Sequence, residues 1–128
     1  MRYYFSTEVE GIFDDVVNRT VNALKEAGFG ILTEIDVKAT LKKKLEVEFP
    51  EYKILGACNP PYAYKALLAE PHIGTMLPCN VIVRKTANGK MEVAAIDPIA
   101  SMQAVDNPAL GKIAEEIRLK LQEVIQNL

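Results

Sequence analysis

Two cysteines and one histidine carry most of the reactive chemistry in this chain. Each cysteine precedes an asparagine: Cys58-Asn59 lies in "ACNPPYAY" and Cys79-Asn80 in "LPCNVIV", with His72 between them. A thiol at a helix N-terminus is acidified, and the thiolate is both a nucleophile and a soft metal ligand. A lone imidazole is the default general acid or base near neutral pH. Asn59 precedes Pro60-Pro61, which opens a helix, and helix N-termini attract anions. Three roles stay open on these residues alone. One is a cleft for a small ligand or a partner, near the Asn59–Gly74 segment, drawing on Cys58, Asn59, Tyr62, His72, Cys79 and Asn80, with Tyr64 and Glu70 beside them. The second is a thiol- or metal-dependent enzyme with Cys58 as nucleophile, Cys79 nearby and His72 as acid/base. The third is structural, with buried thiols, capping asparagines and a homodimer formed through an edge strand. Whether the protein is an enzyme stays undecided.

Other chemistry is thinner. Cys58, Cys79 and His72 make at most three ligands, short of the four in a structural zinc site, so no metal is expected. There is no Cys-x-x-Cys, glycine-rich phosphate loop, Gly-x-Ser-x-Gly elbow or His-Glu-x-x-His, and no motif names a cofactor. Glu34 and Asp36 share a strand face. That is carboxylate-pair geometry, and equally a solvated strand end followed by an N-cap.

The elements that must hold these residues follow from periodicity. Tyr3, Phe5, Thr7 and Val9 alternate, which predicts a strand with its aromatics in the core. Ile12 to Ala27 repeat apolar residues at helical spacing, with Gly28 at the C-cap. Phe29–Asp36 predicts a second strand, with Phe29, Ile31, Thr33 and Ile35 on one face. Val37–Leu45 predicts a helix capped by Asp36, although "LEVEF" alone suits a strand. Tyr52–Cys58 is a strand containing a glycine, the mark of a bulge or a close backbone approach. Asn59 then caps a helix over Tyr62–Glu70, stopped by Pro71. "HIGTMLP" is irregular. Cys79–Thr86 and Lys90–Asp97 form a hairpin on Asn88-Gly89. A loop follows Pro98, and Asp106 or Asn107 caps a long amphipathic helix running to Leu128.

Bulk composition bounds the function classes. At 128 residues the chain is expected to form one domain, 1–128. A chain of this size buries roughly 65–70% of its unfolded surface and needs no staples. With 49% hydrophobic and 25% charged residues, it is an ordinary globular sequence. A net charge of -2 argues against a backbone-binding nucleic-acid protein, and Lys42, Lys43 and Lys44 are the only basic run. No apolar stretch is long enough to span a bilayer, and the N-terminus lacks a signal-peptide core. The expected setting is the cytoplasm, with reduced thiols and no membrane partner.

"LGACNPPYAYKALLAEPHIGTMLPCNVIVRK" followed by "VAAIDP" resembles the signature of the domain of unknown function 302 family. Gly56, Cys58-Asn59-Pro60, Ala63, Ala66-Leu67, Glu70-Pro71, Gly74, Leu77-Pro78-Cys79 and Asp97-Pro98 carry the resemblance. "FGILTEIDVKATLKKKL" fits its strand, acidic residue and lysine-rich helix. The resemblance implies a β-α-β4-α sandwich of the TATA-binding-protein-like kind and names no activity. The element order agrees: an α+β two-layer sandwich, mostly antiparallel, with helices on one face and short helical inserts. Exposed sheet edges in so small a domain keep a homodimer among the partners, beside a small-molecule ligand.

Overall fold

The computed structural model of the protein describes residues 2–128. Five strands form one antiparallel sheet: β1 (Tyr4–Val9), β2 (Gly30–Asp36), β3 (Tyr52–Cys58), β4 (Cys79–Lys85) and β5 (Met91–Ile96), in the spatial order β1-β5-β4-β3-β2. Helix α1 (Phe13–Glu26) follows β1, α2 (Val37–Leu45) follows β2 and α3 (Pro60–Ala69) follows β3. A short α4 (Pro98–Ser101) follows β5, and α5 (Pro108–Gln126) ends the fold. This is the α+β sandwich the sequence pattern predicts.

Strand alternation and helix periodicity meet in one core. Leu55 and Ala57 of β3, Val81 and Val83 of β4, and Met91, Val93 and Ala95 of β5 are buried. They pack with Phe13, Val16, Val17 and Leu24 of α1 and with Ile117, Leu121, Val124 and Ile125 of α5. Burying a side chain of this size contributes about 1.5–3 kcal/mol, so this one face supplies most of the driving force. The buried Thr20 hydroxyl donates to the Val16 carbonyl at 2.8 Å, so it enters the core satisfied. Tyr3 departs from the expected core role. It precedes β1 and is 63% exposed, because the strand's packed face begins only at Phe5.

The turn into β2 is specified locally. Gly28 has φ of 94°, its N–H donates to the Lys25 carbonyl, and the Phe29 N–H reaches back to the Leu24 carbonyl at 2.9 Å. This is the Schellman pattern, with Phe29 and Leu24 meeting in the core. Asp36 caps α2 by accepting from the Ala39 N–H at 2.9 Å, as expected. Asn107 caps α5 through the Ala109 N–H, and its side-chain amide donates to the Ala69 carbonyl at 2.9 Å, which ties the end of α3 to the start of α5.

Three expectations need correction. The four alternating residues of β2 do not share a face. Ile31 pairs with Ala57 but Thr33 pairs with the next residue back, Gly56, so Leu32 bulges and the alternation flips. Glu34 and Asp36 then lie opposite Leu55 and Lys53, and Glu34 pairs with the Lys53 ammonium at 2.8 Å. That hydrogen bond is the main reason the Lys53 pKa is raised. The segment "HIGTMLP" is not irregular: Pro71–Met76 forms a 3-10 helix, with Ile73 fully buried as its anchor. The stretch after Pro98 is helical because the buried Asp97 accepts from the Ile99 N–H at 3.0 Å and pairs with Arg118 of α5 at 3.2 Å.

Gly56 shows why β3 needs a glycine. A Cβ there would collide with the Thr33 hydroxyl and come within 2.8 Å of the Pro78 ring. Thr33 is the residue the bulge turns to that face, and Pro78 follows a cis peptide bond with Leu77. Gly56→Ala should destabilise the protein by about 1–3 kcal/mol, the usual range for overpacking. Urea denaturation checks this, and Thr33→Ala in the same chain should recover only part, because Pro78 remains.

Candidate functional site

The β3–β4 connection builds the site. The two strands are antiparallel neighbours, with Ala57 opposite Cys79, so the chain leaves and returns at almost the same point. Residues 59–78 arch away between them. Under the arch sits a second apolar cluster, Ala66, Ile73 and Leu110, with Leu77, Met102 and Ile113 packed against it. Between this cluster and the main core lies a cavity of about 350 Å³. Phe29, Ala57 and Ile117 line it from the main core, and Leu77, Met102 and Ile113 from the other side. It reaches the surface at Leu32 and Leu67, which are 65% and 42% exposed.

Of the six residues singled out in the sequence, Cys58, Asn59, Tyr62 and Cys79 line this one cavity. His72 and Asn80 do not. The His72 side chain is 91% exposed and stands against Glu70 at 3.6 Å. Asn80 is exposed. It pairs with Gly56 and lies with Tyr4, Tyr52, Arg84 and Glu92 in a shallow groove on the sheet face away from the core helices. Strand alternation explains this, because Cys79 faces the helices and its neighbour must face the other way. Tyr64 is exposed, and Glu70 accepts a hydrogen bond from Asn107 instead of facing the cavity.

The electrostatics are those of a neutral pocket. Burial pushes the Cys79 thiol up to about 11, and nearby Cys58 adds in the same direction. Both cysteines are free. A thiol with so high a pKa is protonated at neutral pH and is a poor nucleophile. No group of three or more histidine, cysteine, aspartate or glutamate side chains converges among the described residues.

Asn59 occupies the N-cap position of α3, but its side chain makes no capping hydrogen bond. It is only 8% exposed, and its amide stands beside Gly28, where a Cβ would come within 3.3 Å of Nδ2. The two prolines that open α3 have no N–H, and the Ala63 N–H is taken by the Asn59 carbonyl at 2.9 Å. A helix start that offers few donors gives an anion little to bind. Tyr62 stands at the rim. Its phenol hydrogen-bonds Glu116, which raises its pKa, and Lys65 and Lys120 lie 5.6 and 6.0 Å from its ring centroid.

The family described as "Domain of unknown function DUF302" matches residues 5–128. The chain belongs to the DUF302 family. Its fold is similar to the crystal structure of an uncharacterized conserved DUF302 protein from Bacillus stearothermophilus. The TM-score is 0.91 and the sequence identity 27%, over 98% of each chain. None of the curated proteins compared with it matches significantly. In this DUF302 chain no helix among the described residues is long and apolar enough to cross a membrane.

Sequence reasoning missed most of the lining. Phe29, Leu67, Leu77, Pro98, Met102 and Ile117 are all ordinary core types. Nothing in their spacing separates residues that fill a core from residues that surround a space. The Pro-rich arch returning to Cys79 was the one available signal.

The Cys79 environment gives a testable result. Its alkylation by iodoacetamide at pH 8 should be about a hundredfold slower than that of a free thiol, read by mass spectrometry of the native protein. Folding keeps this thiol protonated, so its contribution to stability is complete below the unfolded pKa of about 8.5. It should be lost as pH rises toward about 11. Denaturation midpoints measured from pH 8 to 11 should fall, and should fall less in Cys79→Ala.

Proposed function

We propose that this DUF302 protein binds a small, largely apolar molecule in the cavity beneath the residue 59–78 arch. The observation that carries the reading is a space of about 350 Å³ walled by apolar side chains and containing the buried, uncapped amide of Asn59. Well-formed ligand sites have this composition: apolar walls and a few polar groups that fix orientation. In this reading Cys58 and Cys79 are wall residues, with thiols reduced as in a cytoplasmic protein, and Tyr62 borders the entrance. A thiol enzyme is the weaker reading, because Cys79 is protonated and His72 faces solvent on the outside of the arch.

A neutral fluorescent probe tests this directly. N-phenyl-1-naphthylamine should bind saturably, one molecule per chain, with enhanced emission. Ala63→Phe places a ring in the cavity and should abolish the signal while the far-UV circular dichroism stays unchanged. A probe signal that persists in folded Ala63→Phe, or no saturable signal in the wild type, would overturn the assignment.

A further inference from the structure

Resting on the reading of this cavity as a ligand site, we propose that it selects uncharged ligands bearing a carboxamide or an equivalent paired donor and acceptor, and that Asn59 determines this selection. Three observations converge. The first is Asn59 itself. It is more than nine-tenths buried, lines the cavity and makes no hydrogen bond to the helix it precedes. A side-chain amide offers two donors and a carbonyl acceptor, and leaving it unmatched in an apolar site costs free energy. A ligand amide satisfies both ends at once, its N–H donating to the Asn59 carbonyl and its carbonyl accepting from the Asn59 amino group.

The second observation is the dismantled helix start. An anion at the N-terminus of α3 would need backbone donors, and Pro60 and Pro61 supply none. The Ala63 N–H is already committed to the Asn59 carbonyl. A helix of this length would otherwise be the natural carboxylate cradle, and its first turn keeps only the Tyr62 N–H for that use.

The third is the absence of a cation from the lining. The cavity contains no lysine, arginine or histidine side chain among its described residues. Lys65 and Lys120 lie at the ring of Tyr62, outside the cavity lining, with Glu116 hydrogen-bonded to its phenol. A carboxylate drawn inside would be an unpaired buried charge, whereas a neutral amide would not. Cys79, protonated and apolar in behaviour, adds to the same neutral character.

The test pairs two probes of equal size, 4-phenylbutanamide and 4-phenylbutanoate, competed at pH 7 against N-phenyl-1-naphthylamine bound to the full chain. The amide should displace the naphthylamine at a concentration at least tenfold lower than the acid. Asn59→Leu keeps the branched outline, removes the amide and loses no existing cap bond. It should still bind naphthylamine and should lose the tenfold preference. Asn59→Ala removes the amide without adding a charge and should lose the preference in the same way, which serves if the leucine variant does not fold. Equal displacement by the two probes in the wild type overturns the inference, as does an amide preference that survives in both variants. If naphthylamine fails to bind the wild type, the cavity assignment falls and this inference with it. If it binds without amide preference, only this inference falls.

Discussion

A single constraint organises this protein: β3 and β4 are adjacent antiparallel strands, yet residues 59–78 separate them. A tight hairpin would need only a few residues, and the rest must be housed somewhere. The chain spends them on α3 and a 3-10 helix that arch over the end of the sheet and need packing of their own. Ile73, Ala66 and Leu110 supply it, and Asn107 stitches the arch to α5. Two apolar clusters then stand side by side, and the space between them is not filled. The space opens to the surface at Leu32 and Leu67, so it is a cleft between the two clusters.

The chemistry of that gap follows from how β3 ends. The same few residues finish a strand, begin a helix with two prolines and place Asn59 at the junction. A capping asparagine would have turned its oxygen onto the helix amides, but Pro61 removes one of the two donors it would have used. The residue that looks most like a structural cap in the sequence is thereby left with its side chain uncommitted. Cys79, which lines the same cavity, is buried deeply enough to stay protonated. The result is a polar but uncharged spot in an otherwise apolar room.

Much of the fold was legible in the sequence, because period-2 and period-3.6 patterns report directly on which face is buried. The α1 stripe, the Asp36 cap on α2, the Asn107 cap on α5 and the Asn88-Gly89 hairpin all depend on local signals, and the structure shows each of them. Non-local features were hidden. The bulge at Leu32 is decided by what β3 offers across the ladder, where Gly56 leaves room for Thr33. The 3-10 helix at Pro71–Met76 depends on a pocket for Ile73 that other elements create. For the site, the rare residue types pointed to the right junction, but type alone cannot say which way a side chain faces. Cys79 and Asn80 are consecutive in a strand and so face opposite sides of the sheet, while His72, the most reactive residue by type, sits on the arch's outer surface.

The bulge has one more effect. Strand β2 is an edge of the sheet, and a regular edge offers its unpaired amides and carbonyls to any passing strand. Here the ladder is interrupted at Leu32, and the stretch beyond it carries Glu34 and Asp36 and runs straight into α2. A further strand would meet a break in the pairing and then two carboxylates. The irregularity that turns Thr33 toward Gly56 therefore also makes this edge a poor template for the sheet to grow from.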